Sequence, residues 1–186
     1  VAVTPYGKKA KMSINDSALT ITKADSLLVL LSGGTNYSTE TANYRTNESV
    51  LHQRIDDIIN KALAKNYTTL KTRQQKSHRM LFDRCQLSIT PDDCNTKPTP
   101  QLVADYNKTD SSYLDNHFLE ELYFNYGRYL LISCAQGIAL PSNLQGIWNY
   151  SNSAVWHCDI HANINVQMNY WPAEVTNLSE LHNNLL

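Results

Sequence analysis

The sequence has 186 residues, enough for one ordinary domain or for parts of two. Its 16 basic and 17 acidic residues leave a formal net charge of -1 and are spread along the chain without a run of like charge. That pattern argues against nucleic acid as a partner, which calls for a concentrated basic surface, and against an anionic membrane surface.

The longest apolar run, Leu27 to Leu31, is far too short to span a bilayer, so no membrane insertion is expected. No basic segment, apolar stretch and cleavage site stand at the start; the chain opens on Val1-Ala2-Val3, which reads as the middle of a protein. From Val1 to about Tyr37 the texture is strand-like. Met12 and Ile14, then Leu19 and Ile21, alternate with polar residues around the turn signal Asn15-Asp16-Ser17. Leu27 to Leu31 reads as a strand buried on both faces, ended by Gly33-Gly34. Two or three strands cannot bury themselves, so this region reads as the tail of a β-domain.

From about Glu48 to Arg84 the period becomes helical. Val50, Leu51, Ile55, Ile58, Ile59, Ala62 and Leu63 mark one helix, and a second is expected from about Thr68. Cys85 to Ile89 alternates like a short strand, and Asp92 to Pro100 reads as a loop rich in Pro, Asn, Asp and Thr. From near Asp115 apolar and aromatic residues, Phe118 to Ile132, cover most of a long helix, which implies packing on several sides; Gly137 and Pro141 end it. After an irregular polar and aromatic stretch, a last helix is expected, capped by Asn177 with Glu180 three residues on. The chain stops inside that helix at Leu186.

The four cysteines, Cys85, Cys94, Cys134 and Cys158, form no C-x-x-C pair. Cys85 and Cys94 flank a turn, which leaves a disulfide and free half-buried thiols both open. Asn-x-Ser/Thr sequons at Asn15, Asn36, Asn47, Asn66, Asn107, Asn149 and Asn177 count weakly for secretion in a chain so rich in Asn and Thr.

All three tryptophans, Trp148, Trp156 and Trp171, fall in one short span. Interleaved with them and on their approach are Asn143, Gln145, Asn149, Asn152, His157, Asp159, His161, Asn163, Asn165, Gln167 and Asn169. Uncharged groups that both donate and accept suit sugar hydroxyls, while the C–H faces of a sugar ring pack on indole. A phosphate or carboxylate ligand would call for Arg or Lys, and neither occurs after Arg128. The same composition would also serve a structural loop whose amides satisfy its own backbone. From Asp159 to Val166 odd positions are polar and even ones apolar, so an extended conformation would place Asp159, His161, Asn163 and Asn165 on one face. His157, Cys158 and His161 match no zinc-ligand spacing, so no metal and no cofactor are expected. A paired-carboxylate glycosidase needs two acids roughly 6.5–9.5 Å apart for inversion. The acids nearby are Asp159, Glu174 and Glu180, and nothing in the sequence sets two of them face to face.

The stretch Leu140-Pro-Ser-Asn-Leu-Gln-Gly-Ile-Trp-Asn149, followed by His161-Ala-Asn-Ile-Asn-Val-Gln-Met-Asn-Tyr-Trp-Pro-Ala-Glu-Val-Thr-Asn-Leu-Ser-Glu180, resembles the signature of glycoside hydrolase family 95. Weaker likeness extends through Leu81-Phe82-Asp83-Arg84 and Tyr126 to Leu131. The family contains 1,2-α-L-fucosidases and some α-L-galactosidases. The resemblance implies a multidomain α+β chain: residues 1–47 as the last strands of an N-terminal β-sandwich domain, 48–114 as a helical linker, and 115–186 as the first helices of an (α/α)6 catalytic barrel. It implies inversion by an unusual route, in which an Asn pair working with an Asp activates the water and a Glu is the general acid. The family's Asn-x-Asn matches Asn163 and Asn165; Asn165 is assigned the water and Asn163 the supporting role. His161 matches a sugar-contacting position where His goes with fucosidases and Thr with galactosidases, and Trp148 and Trp171 are the remaining candidate substrate contacts. The family's Glu and Asp lie downstream of residue 186, so the 186-residue chain alone is expected to be inactive. Ser151 to Val155, where the family often carries prolines, departs from the pattern.

The expected protein is thus part of an exported, extracellular or periplasmic, hydrolase releasing terminal α-1,2-linked L-fucose from a fucosylated oligosaccharide or glycoconjugate. An α-L-galactosidase of the same family and a non-catalytic glycan-binding protein are the alternatives.

Overall fold

The computed structural model describes residues 1–91, 97–106, 108, 112–137 and 140–185. The chain divides into two compact units, Val1–Gln75 and Lys76–Leu186, and is a small β region followed by helices.

In the first unit, β1 (Ala2–Tyr6) pairs antiparallel with β4 (Ser26–Leu30), in a register that sets Ala2 opposite Leu30 and Tyr6 opposite Ser26. Between them in sequence, β2 (Lys11–Ile14) and β3 (Leu19–Thr22) form the expected hairpin, with Met12 opposite Ile21 and Ile14 opposite Leu19. Its turn forms where Asn15-Asp16-Ser17 signalled one. The Asn15 side-chain carbonyl accepts from the Ser17 and Ala18 amides at 3.0 and 2.8 Å. Gly7, at φ 141°, lets the chain leave β1; a Cβ there would lie 3.0 Å from the Asp25 carboxylate. One expectation fails. Leu27, Val29 and Leu31 are exposed rather than buried on both faces, because a two-stranded ladder offers them no covering layer.

The helix α1 (Glu48–Leu63) is capped by Asn47, whose side chain accepts from the Ser49 amide at 2.9 Å. Asn66 does the same for α2 (Tyr67–Phe82), accepting from Thr69 at 2.8 Å. Both helices lie where the apolar spacing put them. Among the described residues α1 has no fully buried side chain: Leu51, Ile55, Ile59 and Ala62 are half-buried, and Val50, Ile58 and Leu63 are exposed.

In the second unit the core gathers the end of α2 (Leu81), the end of α4 (Tyr113–Ala135; Leu131, Ile132, Ala135), one stripe of α5 (Asn165–Val175; Val166, Tyr170, Ala173), and Leu178 and Leu181. The last turns of α4 are packed on several sides, with Leu131, Ile132, Cys134 and Ala135 all buried, while further up the helix Tyr123 is 78% exposed and Tyr126 and Tyr129 also face outward. The short helix α3 (Thr99–Asp105) stands where a loop was expected to run to Pro100; proline is compatible with a first helical turn, where its missing N–H is not needed. Asp92 to Thr96, including Cys94, the candidate partner of Cys85, lie outside the described residues, while Cys85, Cys134 and Cys158 are free thiols.

Cys85 to Ile89 is not a strand. Its backbone is held by side chains of α4 instead: Glu121 accepts from the Ile89 amide at 3.0 Å, and Arg128 donates to the Cys85 carbonyl at 2.6 Å. Arg128 is 1% exposed and also donates to the carbonyls of Phe82 (2.6 Å), Leu81 (3.1 Å) and Thr176 (3.5 Å). One guanidinium therefore satisfies the free carbonyls at the end of α2 and meets the end of α5.

Asn177 does not cap a following helix. It sits at φ 59° just past α5, with its amide donating to the Glu174 carbonyl (3.2 Å) and the Leu178 amide to the Ala173 carbonyl (2.8 Å). This is a Schellman closure, and Leu178 and Ala173 are both fully buried beside it. The next element is a 3-10 turn, Ser179–Asn184, rather than an α-helix. No helix among the described residues is long and apolar enough to cross a membrane.

Candidate active site

Everything the sequence marked as chemical lies between the end of α4 and α5. The loop begins on a buried polar knot. The Ser142 amide donates to the Tyr170 phenol oxygen at 2.9 Å, and the Ser142 hydroxyl lies 2.8 Å from the Cys134 sulfur. Burial pushes the Cys134 thiol above its ordinary pKa, so it stays a neutral packing group. The Asn169 amide donates to the Asn143 carbonyl at 2.9 Å, and the Asn143 side chain accepts from the Gln145 amide at 2.8 Å. Gly146, at φ 66°, then turns the chain so closely under Trp148 that a Cβ would lie 2.8 Å from the indole.

The far wall is built from Val155 to Asp159. Gln145 reaches across and donates its amide to the Val155 carbonyl at 2.9 Å. The Asp159 carbonyl accepts from the Leu144 amide at 3.3 Å, and the Asp159 amide donates to the Trp156 carbonyl at 3.1 Å. Trp156, His157 and Cys158 all adopt φ 54°, a left-handed run that costs each L-residue about 1–2 kcal/mol and so concentrates strain at this wall. The Trp156 ring meets the His161 ring at 5.6 Å in an edge-on contact.

His161 is fixed from both sides. Its Nδ1 lies 2.5 Å from an Asp159 carboxylate oxygen, and its carbonyl accepts from the Val166 amide at 3.0 Å in the first turn of α5. The Gln167 side chain donates to the Ala162 carbonyl and braces the turn between them.

The extended row expected from Asp159 to Val166 does not form. Residues 162–164 are a turn, and Asn165 opens α5. Of the even positions expected to be buried, Val166 is 3% exposed, but Ile160 and Ile164 are 47% and 45% exposed. The helical stripe Val166, Tyr170, Ala173 reaches the core, and that packing outweighs a short local alternation. The turn nevertheless brings together three of the expected side chains. His161, Asn163 and Asn165 line one open cleft of about 430 Å³ with Leu144, Gln145 and Trp156.

Among the described residues, the Asn163 and Asn165 side chains have no protein partner, so their donors and acceptors are free for a ligand. Asn165 also stands at the N-terminus of α5, where backbone N–H groups favour a partly negative oxygen. The acids do not form a pair across the cleft. Asp159 is bonded to His161, Glu174 lies 3.0 Å from His182, and Glu180 lies 2.5 Å from Arg84. No three His, Cys, Asp or Glu side chains converge on a metal position among the described residues. Trp148 lines a neighbouring cavity that shares Leu144 and Gln145 with this cleft, and Trp171 stands 61% exposed on α5. Trp156 and Gln145, both of the amide- and indole-rich stretch, also line the cleft. A cleft lined by amides, an imidazole and an indole, with no cation among the described residues, can hold a neutral polyol and a water by hydrogen bonding.

The family model of the glycosyl hydrolase family 95 catalytic domain matches residues 66–186. A probable alpha-fucosidase A of Aspergillus niger is 33% identical over 83% of this chain and 20% of its own length. A probable alpha-fucosidase A of Aspergillus oryzae is 34% identical over 88% of this chain and 23% of its own. Alpha-L-fucosidase 2 of Arabidopsis thaliana is 30% identical over 90% of this chain and 20% of its own. The chain thus spans about a fifth of the length of these curated relatives.

Proposed function

Because the chain belongs to glycoside hydrolase family 95, we propose that it forms part of an inverting hydrolase that releases terminal α-1,2-linked L-fucose from oligosaccharides or glycoconjugates. The observation that carries this reading is the cleft in which His161, Asn163 and Asn165 meet, with two free amides and no cation among the described residues. Residues 1–47 are the last strands of a β-sandwich domain, 48–114 a linker, and 115–186 the first helices of an (α/α)6 barrel. The protein acts outside the cytoplasm, in keeping with its many sequons.

In the proposed reaction, His161 holds the fucose, Asn165 holds a water against the face of C1 opposite the leaving group, and Asn163 supports Asn165 in that role. An amide oxygen has little proton affinity, so Asn165 serves as a base only when a carboxylate polarises it; that Asp comes from beyond residue 186. A Glu, also from beyond residue 186, protonates the glycosidic oxygen as its bond to C1 breaks. The water oxygen bonds to C1 and its proton passes through Asn165 to the Asp, leaving β-L-fucose and the free hydroxyl of the former aglycone.

The test is the stereochemical course. The full-length protein is mixed with a 2'-fucosylated oligosaccharide and the products are followed by proton NMR. The β-anomer of fucose accumulates first. Initial release of the α-anomer overturns the inverting reading, and tight fucose binding without any release indicates a glycan-binding protein instead.

A further inference from the structure

The Asp159 carboxylate is unassigned by the mechanism, yet it bonds the one imidazole that lines the cleft among the described residues. Its main chain is tied on both sides, the carbonyl to the Leu144 amide at 3.3 Å and the amide to the Trp156 carbonyl at 3.1 Å. Its carboxylate meets His161 Nδ1 at 2.5 Å. A carboxylate only accepts, so Nδ1 must carry the proton, and in the neutral ring Nε2 is then an acceptor. Trp156, edge-on to the ring at 5.6 Å, limits rotation of the imidazole away from this partner. The His161 carbonyl, bonded to Val166, fixes the backbone beneath it.

We propose that Asp159 is a positioning residue for sugar recognition. Resting on the fucosidase reading above, it locks His161 in the Nδ1–H tautomer so that Nε2 presents a lone pair to one hydroxyl of the bound sugar. The ligand class follows from this polarity: a neutral sugar whose hydroxyl donates to His161, while Asn163 and Asn165 remain free for the water. Without Asp159 the ring can rotate or exchange tautomers, and Nε2 can then offer a proton where an acceptor is required. The effect falls on ground-state and transition-state binding together, hence on KM.

The experiment compares Asp159→Ala, Asp159→Asn, His161→Ala and the Asp159→Ala/His161→Ala double variant in the full-length protein. Steady-state kinetics on a 2'-fucosylated oligosaccharide are combined with inhibition by free L-fucose. Asp159→Ala truncates only the side chain and keeps both main-chain bonds of residue 159, so the loop is retained. It is expected to raise KM and weaken fucose inhibition by about 10- to 100-fold with little change in kcat, the usual scale for a residue that orients another. Asp159→Asn, whose amide oxygen still accepts from Nδ1–H, recovers most of that loss. The double variant matches His161→Ala within about twofold, since Asp159 acts only through His161. Additive losses in the double variant, or wild-type KM in Asp159→Ala when His161→Ala is impaired, overturn the role of Asp159 alone. Wild-type fucose inhibition in His161→Ala overturns the sugar site and this role with it.

Discussion

Replacing Arg128 with Met removes the most heavily used buried group in the second unit while keeping a long, flexible stem. The side chain is 1% exposed and donates to three carbonyls at 2.6, 2.6 and 3.1 Å, with a fourth at 3.5 Å. Hydrogen bonds from a charged donor contribute about 1.5–3 kcal/mol each, so the three short ones sum to roughly 5–9 kcal/mol gross. Against this stands the cost of burying a guanidinium whose Nε has no protein partner among the described residues. Burial accordingly lowers its pKa from the ordinary value, though it stays charged at any physiological pH. Methionine removes both the charge and its desolvation cost but strands the carbonyls of Leu81, Phe82 and Cys85. The expected loss is about 3–5 kcal/mol. The assay is urea unfolding of the full-length protein and of Arg128→Met, with the transition midpoint read at constant slope. Arg128→Lys is expected to fall between the two, because one ammonium cannot match the fork that reaches several carbonyls. A loss below about 1 kcal/mol for Met, or a Lys variant equal to the wild type, would refute the clamp.

Three further outcomes concern the same unit. Asn177→Ala, at φ 59°, is expected to cost about 1 kcal/mol in thermal unfolding, while Asn177→Gly stays within a few tenths; equal effects would reject the Schellman closure. Glu180 has its pKa lowered from 4.5, first by its own backbone amide and then by Arg84. A lowered carboxyl pKa contributes stability above the unfolded pKa and loses it as pH falls, so Glu180→Gln should flatten the drop in melting temperature below about pH 4.5. The pair is partly exposed, so the change is at most about 1 kcal/mol, and an unchanged pH slope would count against the ion pair. Tyr170→Phe leaves the buried Ser142 amide without its acceptor and should destabilise by about 1–3 kcal/mol, measured by urea unfolding; a neutral result would mean that the amide is satisfied elsewhere.

The elements that read correctly from sequence are those whose stability is local and periodic. The β2–β3 hairpin carried both an alternation and an Asn-centred turn, α1 carried a helical stripe of several turns, and α4 a long apolar and aromatic run. Asn177 misled because asparagine serves equally before a helix, where its side chain accepts, and after one, where it tolerates positive φ. The segment Asp159 to Val166 misled because eight alternating residues fit a strand, while the decisive contacts are Val166, Tyr170 and Ala173 against the distant Leu81 and Ile132. The site was legible as composition and, through the family signature, as His161, Asn163 and Asn165. Gln145 and Trp156 were legible as members of the amide- and indole-rich stretch, but the bond from Gln145 to the Val155 carbonyl was not, because a bond to backbone leaves no mark in side-chain identity.

The central claim is that Asn165 holds and activates the hydrolytic water. Its most direct test is kcat on a 2'-fucosylated oligosaccharide for the full-length protein and its Asn165→Ala variant, with folding checked by matched melting curves. A group that activates the water without gripping the sugar affects kcat, so kcat should fall by about 10²- to 10⁴-fold with KM little changed. Turnover at the wild-type rate in Asn165→Ala would contradict the mechanism.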